Sequence, residues 1–390
     1  MYPPPTDIPP GVAASARNQR SRFAAAYSVL ERAIADRAFP GAAFGVLLNG
    51  EILALDGVGR FTYEPDSRAV TPMTVYDLAS VTKVVATTSA AMLLYDRGKL
   101  DLDLLVGDVL PGFVVGAASP TVPHRERCRV TLRHLLAHSS GLPAYARLFE
   151  TNRSPYSLLE ACLSMPLEAS PGTRAEYSDI GFILLGKAIE VLAGEPLDAF
   201  CAREIFAPLA LPSTRYQPPS SWRPLIPPTV DDQAFRGRII QGEVHDENCS
   251  VLGGVSGHAG LFSNPLDLLR YAKVILTSAA TSDLKRDSEH KATFSPATVE
   301  LFASVQDPPA NSSRALGWDT PSPESSSGTY FSRHSIGHLG YTGTSLWIDL
   351  DRKLAVTLLT NRTWPDRSSQ AIRAVRPAFH DAVVNGLSQL

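Results

Sequence analysis

Apolar and polar positions follow two rhythms along this chain, helical through its middle and strand-like towards both ends. Between residues 17 and 37, Phe23, Tyr27, Leu30 and Ile34 fall on one stripe at helical spacing, which predicts an amphipathic helix stopped by Pro40 and Gly41. Apolar runs at 42–48 and 51–55 then flank Asn49-Gly50, a dipeptide whose tolerance of positive φ suits a tight hairpin turn. A strongly apolar helix is predicted over 84–95. Residues 104–129 carry Pro and Gly and read as loop-rich, followed by a short helix at 130–139 closed by Gly141 and Pro143. Helical patterns recur at 157–164, 180–193, 197–206 and 267–276. The proline-rich stretch 208–232 reads as an ordered surface connection, and the Pro/Ser-rich stretch 305–328 as a long loop. Strand-like runs return at 344–350 and 354–359 around Asp351-Arg352-Lys353, before a final amphipathic helix at 368–387.

Strands at both ends with helices between them predict an α+β fold, in which the two termini build one antiparallel sheet flanked by helices. The expected organisation is a disordered or extended lead-in over 1–15 and a single domain over 16–390. Within it, 16–79 and 325–390 form the sheet region and 80–324 a mainly helical insert.

Composition narrows the function without naming it. At 390 residues, with 44% hydrophobic and 19% charged residues, the chain has ample material for a core. A net charge of −3 without a dense Lys/Arg run gives no sign of a nucleic-acid partner. No run approaches the length of a membrane span. The N-terminus lacks a basic segment followed by an apolar one, so the sequence as written reads as cytoplasmic, or as periplasmic or secreted if a leader is missing. Cys128, Cys162, Cys201 and Cys249 are widely spaced and read as free thiols.

The chemistry gathers at Ser80-Val81-Thr82-Lys83, at the start of the apolar helix. Positions i and i+3 share a helix face, so hydroxyl and amine can enter one site. A serine hydroxyl needs a neighbouring base to become a nucleophile, and an amine serves if burial or nearby positive charge lowers its pKa. The free N–H groups of a helix start can stabilise developing negative charge. The same spacing recurs at Ser282/Lys285 and Ser288/Lys291, in a polar stretch with no apolar helix behind it, and there reads as exposed loop or frayed helix.

Two further motifs follow in order, Tyr177-Ser178-Asp179 and His338-Leu339-Gly340, with support from Arg133–Leu142, Pro208-Leu209 and Gly343–Trp347. Together they resemble the penicillin-recognising serine hydrolases of the class C β-lactamase type, which include DD-peptidases and β-lactamase-like (family VIII) esterases. The runs His245-Asp246-Glu247 and 252–263 resemble the penicillin-binding-protein-4B-like branch, and the likeness spans roughly residues 20–385. The resemblance implies an acyl-enzyme mechanism without cofactor or metal, with Ser80 as nucleophile and Lys83 and Tyr177 as its proton partners. It implies an oxyanion hole from the N–H groups of Ser80 and Tyr341, and substrate contacts at Asp179, His338 and Gly340.

Two departures bear on substrate. Asp179 stands where β-lactamases carry Asn, and an ionised carboxylate only accepts hydrogen bonds. Leu339 stands where a hydroxyl is usual, and His338 replaces Lys. The pattern therefore implies an esterase or D-amino-acid peptidase acting on small esters or amides, among them cell-wall-derived peptides. The alternatives are a penicillin-binding DD-carboxypeptidase or weak β-lactamase, and, from another class, a catalytically silent binding or sensor protein of the same fold. A zinc hydrolase is a further competitor, since His134 and His138 are four apart, but Leu135 occupies the place of the glutamate in H-E-x-x-H.

Overall fold

A computed structural model describes residues 18–115, 122–280 and 294–388, together with 7, 8, 11, 12 and 16. The second and third Ser-x-x-Lys pairs lie outside the described residues. Five antiparallel strands form the main sheet: β1 (Gly41–Leu48), β2 (Glu51–Gly59), β3 (Ser335–Leu339), β4 (Ser345–Asp349) and β5 (Leu354–Thr360). Their order is β2-β1-β5-β4-β3, so the first hairpin joins the last strands through the β1–β5 pairing, Ala42 opposite Thr360 and Leu48 opposite Leu354.

Both faces of this sheet are covered, which explains why its central strands are apolar at nearly every position. Phe44, Val46, Trp347, Val356 and Leu358 face one core, built with Tyr27 and Leu30 of the Ala24–Ala35 helix and Phe379 and Val383 of the Ile372–Leu387 helix. The alternate residues Ala43, Leu47, Leu346, Ile348 and Leu359 face a second, larger core. That core contains Leu268, Leu269 and Ile275 of the Pro265–Ala280 helix and most of the central helices. Phe23, Tyr27 and Leu30 of the expected stripe are buried.

Three local expectations change. The apolar helix after Ser80 is not uniform: Ala79–Val81 form a 3₁₀ turn, Lys83–Thr88 a π-helical stretch, and only Ser89–Asp96 is α-helical. The Val84 carbonyl accepts from the Ser89 and Tyr271 hydroxyls instead of closing an ordinary turn, and such widened turns recur at functional sites. The proline-rich stretch is not a surface connection. Arg215–Tyr216 pairs with Leu261 and Phe262, Val230–Asp232 pairs with Arg238–Ile240, and Trp222 and Ile226 are buried against Val75 and Phe262. In the expected lead-in, Ile8 and Val12 pack against Leu55, Met73 and Leu266. Among the described residues, no helix is long and apolar enough to cross a membrane.

Candidate active site

The Ser80 turn is held under strain by its neighbours. Ala79 has φ 46°, a left-handed conformation that costs a non-glycine residue about 1–2 kcal/mol. Buried Asp77 holds it there: one carboxylate oxygen accepts from the Ala79 N–H at 2.8 Å, the other from the His245 N–H at 2.6 Å. Burial raises the Asp77 carboxyl to about 6. The turn after β3 clasps the same segment, with the Thr342 hydroxyl donating to the Asp77 carbonyl and the Thr344 hydroxyl to the Leu78 carbonyl, both at 2.8 Å. Gly340 is required at this contact, because a Cβ there would lie 2.3 Å from the Leu78 carbonyl oxygen.

Lys83 lies one turn beyond Ser80, with its side chain fully buried. Its amine donates to Ser80 Oγ at 3.0 Å, Asp179 Oδ1 at 2.7 Å and the His258 carbonyl at 3.1 Å, so all three N–H bonds of an ammonium group have acceptors. Burial alone would lower this amine. The charges and hydrogen bonds of Asp179 and Tyr177 outweigh it and hold the amine above its ordinary value. The Tyr177 hydroxyl donates to Ser80 Oγ at 2.7 Å. Burial and the Asp179 carboxylate push the phenol up to about 12, against the opposing pull of Lys83. At neutral pH the resting site therefore holds one proton more than a base for Ser80 requires. The amine is not the depressed base that burial alone predicts, because a carboxylate 96 positions away faces it.

Asp179 opens the Asp179–Ala193 helix, whose N-cap Ser178 accepts from the Gly181 N–H and donates to the Pro143 carbonyl. That cap aims Tyr177 and Asp179 at Lys83 from the opposite side. Ser80, Tyr177, Asp179, His338, Leu339, Gly340 and Tyr341 all line one cavity of about 540 Å³. Among the described residues, neither the Ser80 nor the Tyr341 N–H donates to another protein group. His338 is buried at the edge of the sheet, where its Nδ1–H donates to the Leu339 carbonyl at 2.8 Å and its Nε2 has no protein partner. Burial, reinforced by Lys83 and Arg314, holds this imidazole well below its ordinary value, so it is neutral.

Several residues that support this group lie in the runs that carried the resemblance, where the sequence assigned them no role at the site. His138 has φ 55°, accepts the Ser178 N–H on Nδ1 at 3.0 Å, and stacks between Tyr177 and Phe182 at centroid distances of 4.8 and 4.9 Å. Its helix ends at Leu136, and His134 Nδ1 closes the capping box with Thr131. The two histidines therefore share no helical face, and the zinc-helix reading fails on geometry. His258, whose carbonyl receives Lys83, is clamped between Ser256 Oγ at 2.8 Å and Asp246 Oδ1 at 2.9 Å. Ser256 is buried, so this serine–histidine–aspartate row braces the lysine and does not meet substrate.

A family model for the β-lactamases matches residues 27–378. The chain belongs to the β-lactamase family. It is 33% identical over 365 residues to the N-acetylmuramyl-L-alanine amidase of Bacillus subtilis strain 168, covering 86% of this chain and 79% of that protein. It is 32% identical over 314 residues to a putative D-alanyl-D-alanine carboxypeptidase of Escherichia coli O157:H7, covering 74% and 69%. The solved structure of EstCE1, a hydrolase with promiscuous acyltransferase activity, superposes with a TM-score of 0.71 at 22% identity, covering 94% of this chain and 99% of that one. This β-lactamase-family chain is a serine hydrolase with the antiparallel sheet and flanking helices of that fold.

Proposed function

We propose that Ser80 attacks the carbonyl of an amide or ester in a small cell-wall-derived peptide and forms an acyl-enzyme. The observation that carries this reading is the double hold on one oxygen: Ser80 Oγ lies 3.0 Å from Lys83 Nζ and 2.7 Å from Tyr177 Oη, facing the cavity. The Lys83–Tyr177 pair, having lost one proton as a unit, takes the hydroxyl proton as the Ser80 oxygen bonds to the carbonyl carbon. The carbonyl oxygen becomes an oxyanion between the N–H groups of Ser80 and Tyr341, where one lost donor typically costs about 2.7–4 kcal/mol. The pair then protonates the departing amine or alkoxide, and the same pair activates water to release the acyl group. Asp179 serves the lysine, through the 2.7 Å ion pair, rather than the substrate. Supporting an amide substrate are the two curated relatives, each named for amide hydrolysis, at 33% and 32% identity.

Intact-protein mass spectrometry after brief exposure to a penicillin, and separately to an activated short-chain ester, tests this reading. An adduct mapping to the Ser80 peptide, or rapid ester turnover that Ser80→Ala abolishes with the fold intact, is the expected result. A penicilloyl adduct would assign a penicillin-binding peptidase, and ester turnover without one an esterase-like enzyme. Turnover by Ser80→Ala within about tenfold of wild type, equal to less than about 1.4 kcal/mol in the barrier, would remove Ser80 as nucleophile.

A further inference from the structure

Three consecutive residues, His245, Asp246 and Glu247, line the cavity, and each is held by a different part of the molecule. The His245 N–H donates to Asp77, and Glu247 meets Arg367 at 2.7 Å. Asp246 Oδ1 accepts twice, from the Cys249 N–H at 2.7 Å and from His258 Nε2–H at 2.9 Å. The Asp246 side chain is only 19% exposed, yet its Oδ2 has no hydrogen-bond partner among the described residues. Burial would raise this carboxyl, but its pairing with His258 and the Cys249 N–H hold it well below the usual carboxylate range, so it is ionised. An ionised carboxylate has only lone pairs to offer the cavity. Beside it His245 is buried and neutral, held down to about 3 chiefly by burial, and its Nε2 has no protein partner.

Two observations narrow what Asp246 can meet. The first is charge. Every carboxylate lining the cavity has a basic partner, whereas Arg362, Arg373 and Arg376, on the side of the Tyr341 turn, form no ion pair among the described residues. A substrate ammonium group would meet that excess of positive charge, and a neutral N–H would not. The second is position. In the proposed reaction the Lys83–Tyr177 pair protonates the leaving group, and the Tyr177 ring lies 5.9 Å from His338. The His245 ring lies 5.5 Å from that of Tyr341, beyond the other end of the same strand wall. A group at Asp246 therefore belongs to the acyl part of the substrate. Asp179 does not recognise that part, because it faces Lys83 at 2.7 Å.

We propose that Asp246 Oδ2 accepts an amide N–H on the acyl side of the scissile bond, which makes Asp246 a specificity-determining residue for peptide-like acyl groups. A hydrogen bond to a charged acceptor is stronger than one between neutral groups, and the two donors on Oδ1 fix the carboxylate before substrate arrives. The inference rests on the hydrolase reading for its catalytic consequence: the amide is anchored at Asp246 while Ser80 attacks the neighbouring carbonyl.

The test compares phenyl N-acetylglycinate with phenyl 4-oxopentanoate, in which a methylene replaces the amide N–H and nothing else changes. For each ester kcat/KM is divided by its rate of hydroxide hydrolysis, in the wild type and in Asp246→Asn. Binding of both esters is measured by calorimetry on Ser80→Ala, with and without Asp246→Asn. The N–H form is expected to be preferred about tenfold in both measurements, a difference of about 1.4 kcal/mol. Asp246→Asn can still accept from His258 but turns an amide NH₂ to the cavity, so it is expected to erase the preference. The preference is a ratio within one protein, so a loss of folded enzyme or of Lys83 alignment cancels from it. Equal binding of the two esters, or a preference that Asp246→Asn leaves intact, would overturn the proposal. Binding preference without turnover of either ester would reject the hydrolase reading and leave the Asp246 contact standing. Turnover of both without preference would do the reverse.

Discussion

At the scale of single residues, the decisive group is Asp179. It ion-pairs with fully buried Lys83, and the geometry agrees with a charged amine, since three acceptors surround it. The carboxylate raises both Lys83 and Tyr177, so wild-type activity is expected to climb from acid into mildly alkaline pH as the pair gives up a proton. A flat profile across that range would exclude the pair as base. Asp179→Asn removes the charge that raises both groups, so the rising limb of kcat/KM is expected to move to lower pH. A limb that stays in place or moves up would show that Asp179 does not set the proton balance. The same substitution strands a buried ammonium group, and breaking a buried pair typically costs about 3–5 kcal/mol of stability, readable in denaturant.

At the scale of elements, the Ser80 turn, the turn at His245 and the turn after β3 act as one unit, tied by Asp77, Thr342 and Thr344. Asp77 gives this unit a pH signature. Its carboxyl is raised from 3.8 to about 6 by burial, with Asp246 adding to the shift and Arg236 and the two backbone N–H bonds opposing it. A raised acid binds its proton more tightly in the folded state, so its contribution is fully present below about pH 4 and lost as pH rises through about 6. The shift corresponds to roughly 3 kcal/mol. Between those pH values wild-type unfolding free energy is expected to fall relative to Asp77→Asn by about that amount, beyond any contribution of Asp267, which both proteins share. Parallel stability curves would show that Asp77 does not carry the proton.

At the scale of the whole molecule, the two ends of the chain stabilise each other across β1 and β5 and through the helices that cover them. Phe379 is fully buried and meets Phe44 edge-on at 5.4 Å, far along the chain but in the same core. Phe379→Ala is expected to destabilise by about 3–5 kcal/mol in chemical unfolding while kcat of the folded enzyme stays within about twofold, because the lost ring does not line the cavity. A large fall in kcat with little loss of stability would mean that this core controls the site directly.

The local patterns were enough for much of this architecture. Asn49-Gly50 announced the hairpin, the stripe through Phe23, Tyr27 and Leu30 announced its covering helix, and ordered motifs announced Ser80, Lys83 and Tyr177, because turn chemistry, periodicity and short spacing are local properties. Other features depended on residues brought together from distant segments. Trp222 and Ile226 were concealed by the prolines around them, and only packing against Val75 and Phe262 puts them inside. The widened turns after Lys83 arise from hydroxyls such as Tyr271, and His138 gains its place from the Ser178 N–H. The sequence by itself determined the fold class, the sheet built from both ends and the candidate motif around Ser80 and Lys83. Tertiary structure alone decided the protonation of Lys83, the strain at Ala79 and the arginine wall beside Tyr341. Charge and backbone strain depend on distances through space, and the chain order does not contain those distances.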